Sequence, residues 1–295
     1  MSDRVIPSDF VRRSVELSQR TGSIDLTGAA EAAGISASEL ADPMHRLTPA
    51  QVTAFIQATW QVTGDELFGL APAPVPRGTF RVICLTLIHT PDLGSALHRI
   101  ADVLQALPTL AQLRIESGDD TTRLTIDLPG AEGEAGGESA TERTRILTDF
   151  LLILLHRFGA WLVGKRLRLH SVELPYPQPE RVHLAENYDH IFGVPVIFGA
   201  ELPALEISNA ALSAPIIQTE ESLEEYLRHS PNLMLSERDY ESTASAQVRR
   251  VLETGVKGRT STAEEISALL SISVPHLRRL LRQEGTSLNL LREEV

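Results

Sequence analysis

Residues 261–295 read STAEEISALLSISVPHLRRLLRQEGTSLNLLREEV. Ser261 followed three positions later by Glu264 has the form of a capping box, in which each side chain accepts the other residue's backbone N–H, and it predicts a helix from Thr262 to about Leu270. Ile266, Leu269 and Leu270 would share its apolar face. After Ser271, Ile272 and Ser273 a second helix is expected, with Ser273 as N-cap and Pro275 in the first turn, where a missing N–H is tolerated. Leu277, Leu280 and Leu281 recur at helical spacing, which turns His276, Arg278, Arg279 and Arg282 outward. Two short helices, a tight turn and a basic outer face on the second match a helix-turn-helix, whose second helix enters the DNA major groove. Arginine suits that place because its fork can engage guanine O6 and N7 together, and arginines further along can meet phosphates. An ordinary helical hairpin with a solvated charged face fits the same pattern.

The charge distribution is uneven in the way such a module requires. The whole chain of 295 residues carries a net charge of -12, which opposes phosphate binding. Residues 241–295 hold 8 Lys or Arg and 7 Asp or Glu, net +1, which leaves 19 basic and 32 acidic residues, net -13, in 1–240. An acidic body joined to a module with a partner of its own is the expected layout, with domains at 1–235 and 241–295 and a boundary between Pro231 and Ser242. The single cysteine, Cys84, has no partner for an internal disulfide, lies in the apolar run VICLTLI and reads as an inert core thiol. The N-terminus lacks the basic start and apolar stretch of a secretory signal. ILTDFLLILL, 146–155, is interrupted by Asp149 and too short to span a bilayer, so a buried helix and a cytoplasmic protein without a membrane partner are expected.

Along the body, residues 8–70 read as short helices, FVRRSVELSQ, LTGAAEAAG, SASELAD and TPAQVTAFIQATWQVTG, the last opened by Thr48 as N-cap and Pro49. APAPVPRGTF, 71–80, reads as a connector and FRVICLTLI as a buried strand. A helix from about 92 to 107 precedes AQLRIES and TRLTIDL, whose alternation around GDDT predicts a hairpin. PGAEGEAGGESA, 129–140, has loop composition. A helix over 141–162, a strand in KRLRLHSVEL, short strands around VPVIF and ALEIS, and a helix in TEESLEEYLRH complete the body; SAQVRRVLE and a Gly-containing break at 255–258 open the C-terminal module. Helices and strands without a regular strand–helix repeat indicate an α+β fold followed by an all-α module.

The C-terminal segment resembles the first helix-turn-helix of AraC/XylS-type transcriptional regulators, including the Glu-Gly-Thr-Ser tail at 284–287. VPRGTFRVICLTLIHTPDLGSAL, HSVELPYPQPE, FGVPVIFGA and SLEEYLRHSPNLML resemble, in that order, the N-terminal domain of the branch that carries an arabinose-binding-like domain and is typified by ornithine-utilisation regulators. The resemblance implies an effector-sensing, dimerising N-terminal domain, a C-terminal module on double-stranded promoter DNA, a homodimer, and RNA polymerase as a further partner. It places Pro275, Arg278 and Arg279 toward base edges and Ser273, His276 and Arg282 nearer the phosphate backbone. Ser267 stands where a small Ala is usual and Ser271 where the turn usually has Gly. Family members carry two helix-turn-helix units joined by a long helix, so this sequence is expected to stop just inside that helix, with about half of the DNA-binding unit missing and weak operator affinity as the consequence.

LTGAAEAAGISASELAD, 26–42, also has helix-turn-helix form, but no Lys or Arg occurs between Arg20 and Arg46 while Glu31, Glu39 and Asp42 are acidic; a structural helical pair is the reading. Polar or aromatic residues near apolar segments, His89, His156, Arg157, Trp161, Lys165, Arg166 and His170, are candidates to line a cleft for a small organic acid or lipid-like carboxylate. No Gly-rich phosphate loop, G-x-S-x-G or H-E-x-x-H motif is present, and the histidines lack metal-ligand spacing, so no catalytic residue, cofactor or metal is assigned. The alternative to a regulator is a ligand-sequestering or interaction module whose helical tail docks another protein.

Overall fold

The computed structural model describes residues 6–21, 25–42, 44–71, 73–107, 110–128, 137–179, 188–189, 191–229, 244–254, 260–270 and 272–294. The break at 255–258, the boundary at 231–242, the turn residue Ser271 and most of the loop at 129–140 lie outside them.

A two-stranded ribbon, β1 (Ile6–Pro7) with β2 (Arg46–Leu47), brackets the helices α1 (Asp9–Thr21), α2 (Leu26–Ala32) and α3 (Ala37–Ala41). α4 (Pro49–Thr63) starts where expected: Thr48 Oγ1 accepts the Gln51 N–H, and Gln51 returns a bond to the Thr48 N–H. α2 and α3 are the acidic pair mistakable for a DNA reader. Leu26, Ala29, Ala30, Ile35 and Leu40 bury their apolar side in the main core.

FRVICLTLI is a helix, α5 (Thr79–Leu87), and not the expected strand. Its buried residues Ile83, Cys84, Leu87 and Ile88 fall at i, i+1, i+4 and i+5, one helical face, while Val82 is exposed. The start is fixed from outside the helix: Glu66 accepts the N–H of Gly78 at 2.6 Å and of Phe80 at 2.7 Å, with Gly78 as N-cap at φ 96°, a conformation that favours glycine. Cys84 is fully buried, and burial pushes its thiol pKa up, which suits an inert core thiol.

α6 (Leu93–Gln105) leads into the hairpin β3 (Gln112–Ser117) and β4 (Thr121–Asp127). α7 (Gly137–Val163) begins inside the segment read as a loop. β5 (Leu169–Leu174), β6 (Val196–Phe198) and β7 (Ala204–Ser208) complete a five-stranded sheet of order β3-β4-β7-β5-β6, antiparallel except for β5 with β6. Registers Leu113↔Ile126, Leu124↔Leu205 and Leu205↔Val172 gather apolar residues on one face. The other face carries Arg123, which grips Glu173 through its two terminal guanidinium nitrogens, Nη1 and Nη2, at 2.6 and 2.5 Å. α8 (Asn209–Leu212) and α9 (Glu220–His229) close the body.

The stretch Thr141–Val163 within α7 is long and apolar enough to cross a bilayer by length and composition, longer than the run read from the sequence. Sixty-seven per cent of its most apolar 18 residues is buried inside the protein, and Asp149 is bonded to Arg13 and Tyr188. Those contacts are those of a core helix.

The C-terminal residues form α10 (Ala244–Thr254), α11 (Ala263–Leu269), α12 (Val274–Gln283) and α13 (Leu288–Glu294). Among the described residues the buried apolar side chains fall into two clusters, one spanning the body and one made of Ala244, Val248, Val251, Leu252, Ile266, Leu270, Leu277, Leu281 and Leu291.

Candidate functional site

An apolar cavity of about 540 Å³ lies in the body. Its walls come from α4 (Trp60), the segment after it (Glu66, Leu67, Val75), α5 (Phe80, Ile83, Leu87), α6 (Ile100, Leu104), the sheet (Leu113, Ile126), α7 (Phe150, Leu154, Leu155, Phe158) and α9 (Leu227). Each element contributes the face its apolar periodicity turns inward. The segment between α4 and α5 is held by adjacent carboxylates with different partners. Asp65, buried, accepts the N–H of Leu67 and Val75 at 2.9 Å and of Gly69 at 2.8 Å. Phe68 inside this turn adopts φ 60°, uncommon for a side chain of that size, and packs against Trp60, Phe10 and Phe150. Glu66 instead caps α5, as described above.

Few polar side chains face the cavity. Gln112 spends its amide on the carbonyls of Leu104 and Leu110, Thr79 donates to Pro76 O, and the Trp60 indole donates to Glu66 O. Arg77 and Arg81 both line the cavity and are exposed, which puts them at its rim. Arg81 is paired with Glu224 of α9, whereas Arg77 forms no ion pair among the described residues.

None of the residues singled out for a ligand from the sequence lines this cavity. His156 is buried, and its Nε2 donates to Leu167 O at 2.9 Å; because a carbonyl only accepts, Nε2 carries a proton. Burial lowers its pKa to about 4, with the charges of Arg157 and Arg166 acting the same way and the Leu167 bond opposing. Arg157 donates to Ile191 O at 2.8 Å. Trp161 stacks on Phe158 and packs tilted against Tyr226, and those two rings also touch each other. His89 is exposed beside Glu220 at 3.3 Å, Arg166 and His170 are exposed, and Lys165 is half-buried with its pKa lowered by burial. His156, Arg157 and Arg166 lie close enough to interact electrostatically, outside the wall of this cavity. The cavity-lining set was missed because a search for polar side chains passes over an apolar container; the signal available was the acidic pair Asp65–Glu66 inside an otherwise apolar stretch.

In the C-terminal helices the capping box lies one residue later than the sequence suggested: Thr262 Oγ1 accepts the Glu265 N–H at 3.2 Å and Glu265 accepts the Thr262 N–H at 2.9 Å. Ile266 and Leu270 are buried as expected, but Leu269 is 45% exposed and Ser267 takes the inward position. Ser273 is the N-cap of α12, accepting the His276 N–H at 3.4 Å, and Pro275 sits in its first turn. Leu277 and Leu281 are buried, whereas Ser273, Pro275, His276, Arg278, Arg279 and Arg282 are all exposed. α12 contains no acidic residue, and none of its three arginines forms an ion pair among the described residues. Two other arginines of this region are engaged among the described residues: Arg249 pairs with Glu294 at 2.6 Å and Arg292 donates to Ser261 O at 2.5 Å. Glu284, just after α12, accepts the N–H of Ala244 and Ser245 and so ties the end of α12 to the start of α10.

The body is an α+β domain with a mostly antiparallel five-stranded sheet and an apolar cavity, a build consistent with a ligand-binding domain. The family model described as the arabinose-binding domain of AraC transcription regulators, N-terminal, matches residues 24–216, and the chain belongs to that family of transcription regulators. Among solved structures, the crystal structure of the transcriptional regulator CdpR from Pseudomonas aeruginosa is similar over 93% of this chain and 81% of its own, at 16% identity and a TM-score of 0.43. No curated protein matches the chain in sequence.

Proposed function

We propose that the protein is a one-component transcription regulator acting in the cytoplasm. The body, about 1–235, receives a small molecule in the cavity and mediates homodimerisation, and the helices from about 241 bind promoter DNA through α12. The observation that carries the DNA-binding half is the outer face of α12, where Arg278, Arg279 and Arg282 are exposed and unpaired among the described residues, beside neighbouring cations that are already engaged. Exposed arginines without acidic partners suit phosphates and guanine edges. The membership of residues 24–216 in the regulator family supports the sensing half. Dimerisation would set two such helices in register and raise their effective concentration. Ligand and DNA would be coupled only as far as the ligand prefers one of two arrangements.

The test is a titration of promoter DNA at several salt concentrations. Affinity is expected to fall steeply with salt, Arg282→Ala to weaken all sequences alike, and Arg278→Ala or Arg279→Ala to alter sequence preference, with about 1–3 kcal/mol of discrimination lost per base contact. Binding that ignores salt, or a tail that captures protein and not DNA, would overturn this reading. Sedimentation equilibrium decides the dimer.

A further inference from the structure

We propose that the cavity takes an apolar acid, a hydrocarbon or aryl body held inside with its anionic group at the rim against Arg77; the inference rests on the cavity being the effector site. A pentose, the sugar in the family's description, is a poor fit. Its hydroxyls need partners, and unpartnered burial of a hydroxyl is unfavourable. The polar groups that face the cavity are mostly engaged: both oxygens of Glu66 by backbone N–H groups, the Gln112 amide by two carbonyls, the Thr79 hydroxyl and the Trp60 indole by one carbonyl each. What remains is a wall of Leu, Ile and Phe side chains. The volume lies within the range of about 300–1,000 Å³ common to small-molecule sites.

The rim decides the sign of the head group. Glu66 is offset by the α5 N-terminus it caps, and Arg81 by Glu224. Arg77 is the exposed cation left without an ion pair among the described residues. An anionic head therefore meets a free guanidinium there and can also compete with Glu224 for Arg81.

The experiment is calorimetric titration of the full chain with hexanoate, octanoate, decanoate, decanol and decyltrimethylammonium, each below its micellar concentration. Affinity is expected to rise about fourfold per added methylene until the cavity is filled. Decanoate should bind more tightly than decanol, and Arg77→Gln should weaken decanoate about fivefold while leaving decanol unchanged. Arg77 is exposed, so the variant tests charge without disturbing the core. Equal affinity for acid and alcohol, preference for the ammonium, no dependence on chain length, or no binding of any probe would overturn the assignment while leaving the DNA-binding reading to its own titration. Graded acid binding that leaves DNA affinity unchanged would uphold the ligand class and remove its effector role.

Discussion

The guanidinium of Arg13 on α1 donates to the carboxylate of Asp149 on α7 at 3.1 Å, and both side chains are 9% exposed. Tyr188 donates its hydroxyl to the same carboxylate at 2.7 Å, Tyr176 donates to its other oxygen, and Arg145 lies 4.7 Å over the Tyr176 ring. Arg13 Nε also reaches Glu142. Burial works against the Asp149 charge and raises its pKa, and the Arg13 charge opposes that rise. The carboxylate, carried by the central helix, is thus the shared acceptor for the N-terminal helix and the segment after β5. Asp149→Ala leaves a buried cation without its main partner, and unfolding by denaturant should show a loss of about 3–5 kcal/mol. The double variant Arg13→Met with Asp149→Leu should cost less than the single one; a larger, additive cost would refute the pairing as the source.

His156 gives acid sensitivity with a defined window. Its folded-state pKa is lowered to about 4, below the ordinary 6.5, so between those values the unfolded chain binds a proton the folded one refuses. Stability at this site is fully present above about pH 6.5 and is lost as pH falls toward about 4, to a limit of about 3 kcal/mol. His156→Gln should flatten that part of a stability-against-pH profile. An unchanged slope would assign the acid sensitivity elsewhere.

Asp65 holds the wall of the cavity by accepting three backbone N–H groups. Asp65→Ala would strand buried donors, each costing about 1–3 kcal/mol, so a loss of at least about 3 kcal/mol is expected. Faster amide hydrogen exchange at 65–75 than across the sheet would place the damage at the wall; uniform acceleration would contradict a local role.

Glu224→Gln removes the charge that faces Arg81. The pair is about half exposed, so stability should change by less than about 1 kcal/mol. Decanoate affinity should rise as a second guanidinium becomes free at the rim, and a fall would show that Glu224 shapes the opening and does not compete for it.

Much of the fold is legible in the sequence wherever local chemistry and burial agree. Thr48 with Pro49, the alternation around 118–120 and the Ser273 cap each fix an element by a rule acting within a few residues. α5 escapes because its apolar run reads as a strand by residue type, while the face that decides it, Ile83 with Leu87 and Cys84 with Ile88, emerges only from helical spacing, and its first turn is capped by Glu66 twelve and fourteen residues upstream of its partners. The cavity is harder still. It is space enclosed by seven parts of the chain, and no single segment carries its signature. His156 and Trp161 are offered by the sequence as ligand contacts because they are polar-tipped residues in an apolar helix; the structure places His156 Nε2 on the Leu167 carbonyl and the Trp161 ring against Phe158 and Tyr226.

α9 has two roles at once. Leu227 faces the cavity, Tyr226 beside it is fully buried against Phe158 and Trp161, and the same helix is the last described element before the chain passes on to α10. The last described helix of the body is thus also a wall of its cavity, so a change in the size of the Leu227 side chain alters that space at the helix on which the described body ends.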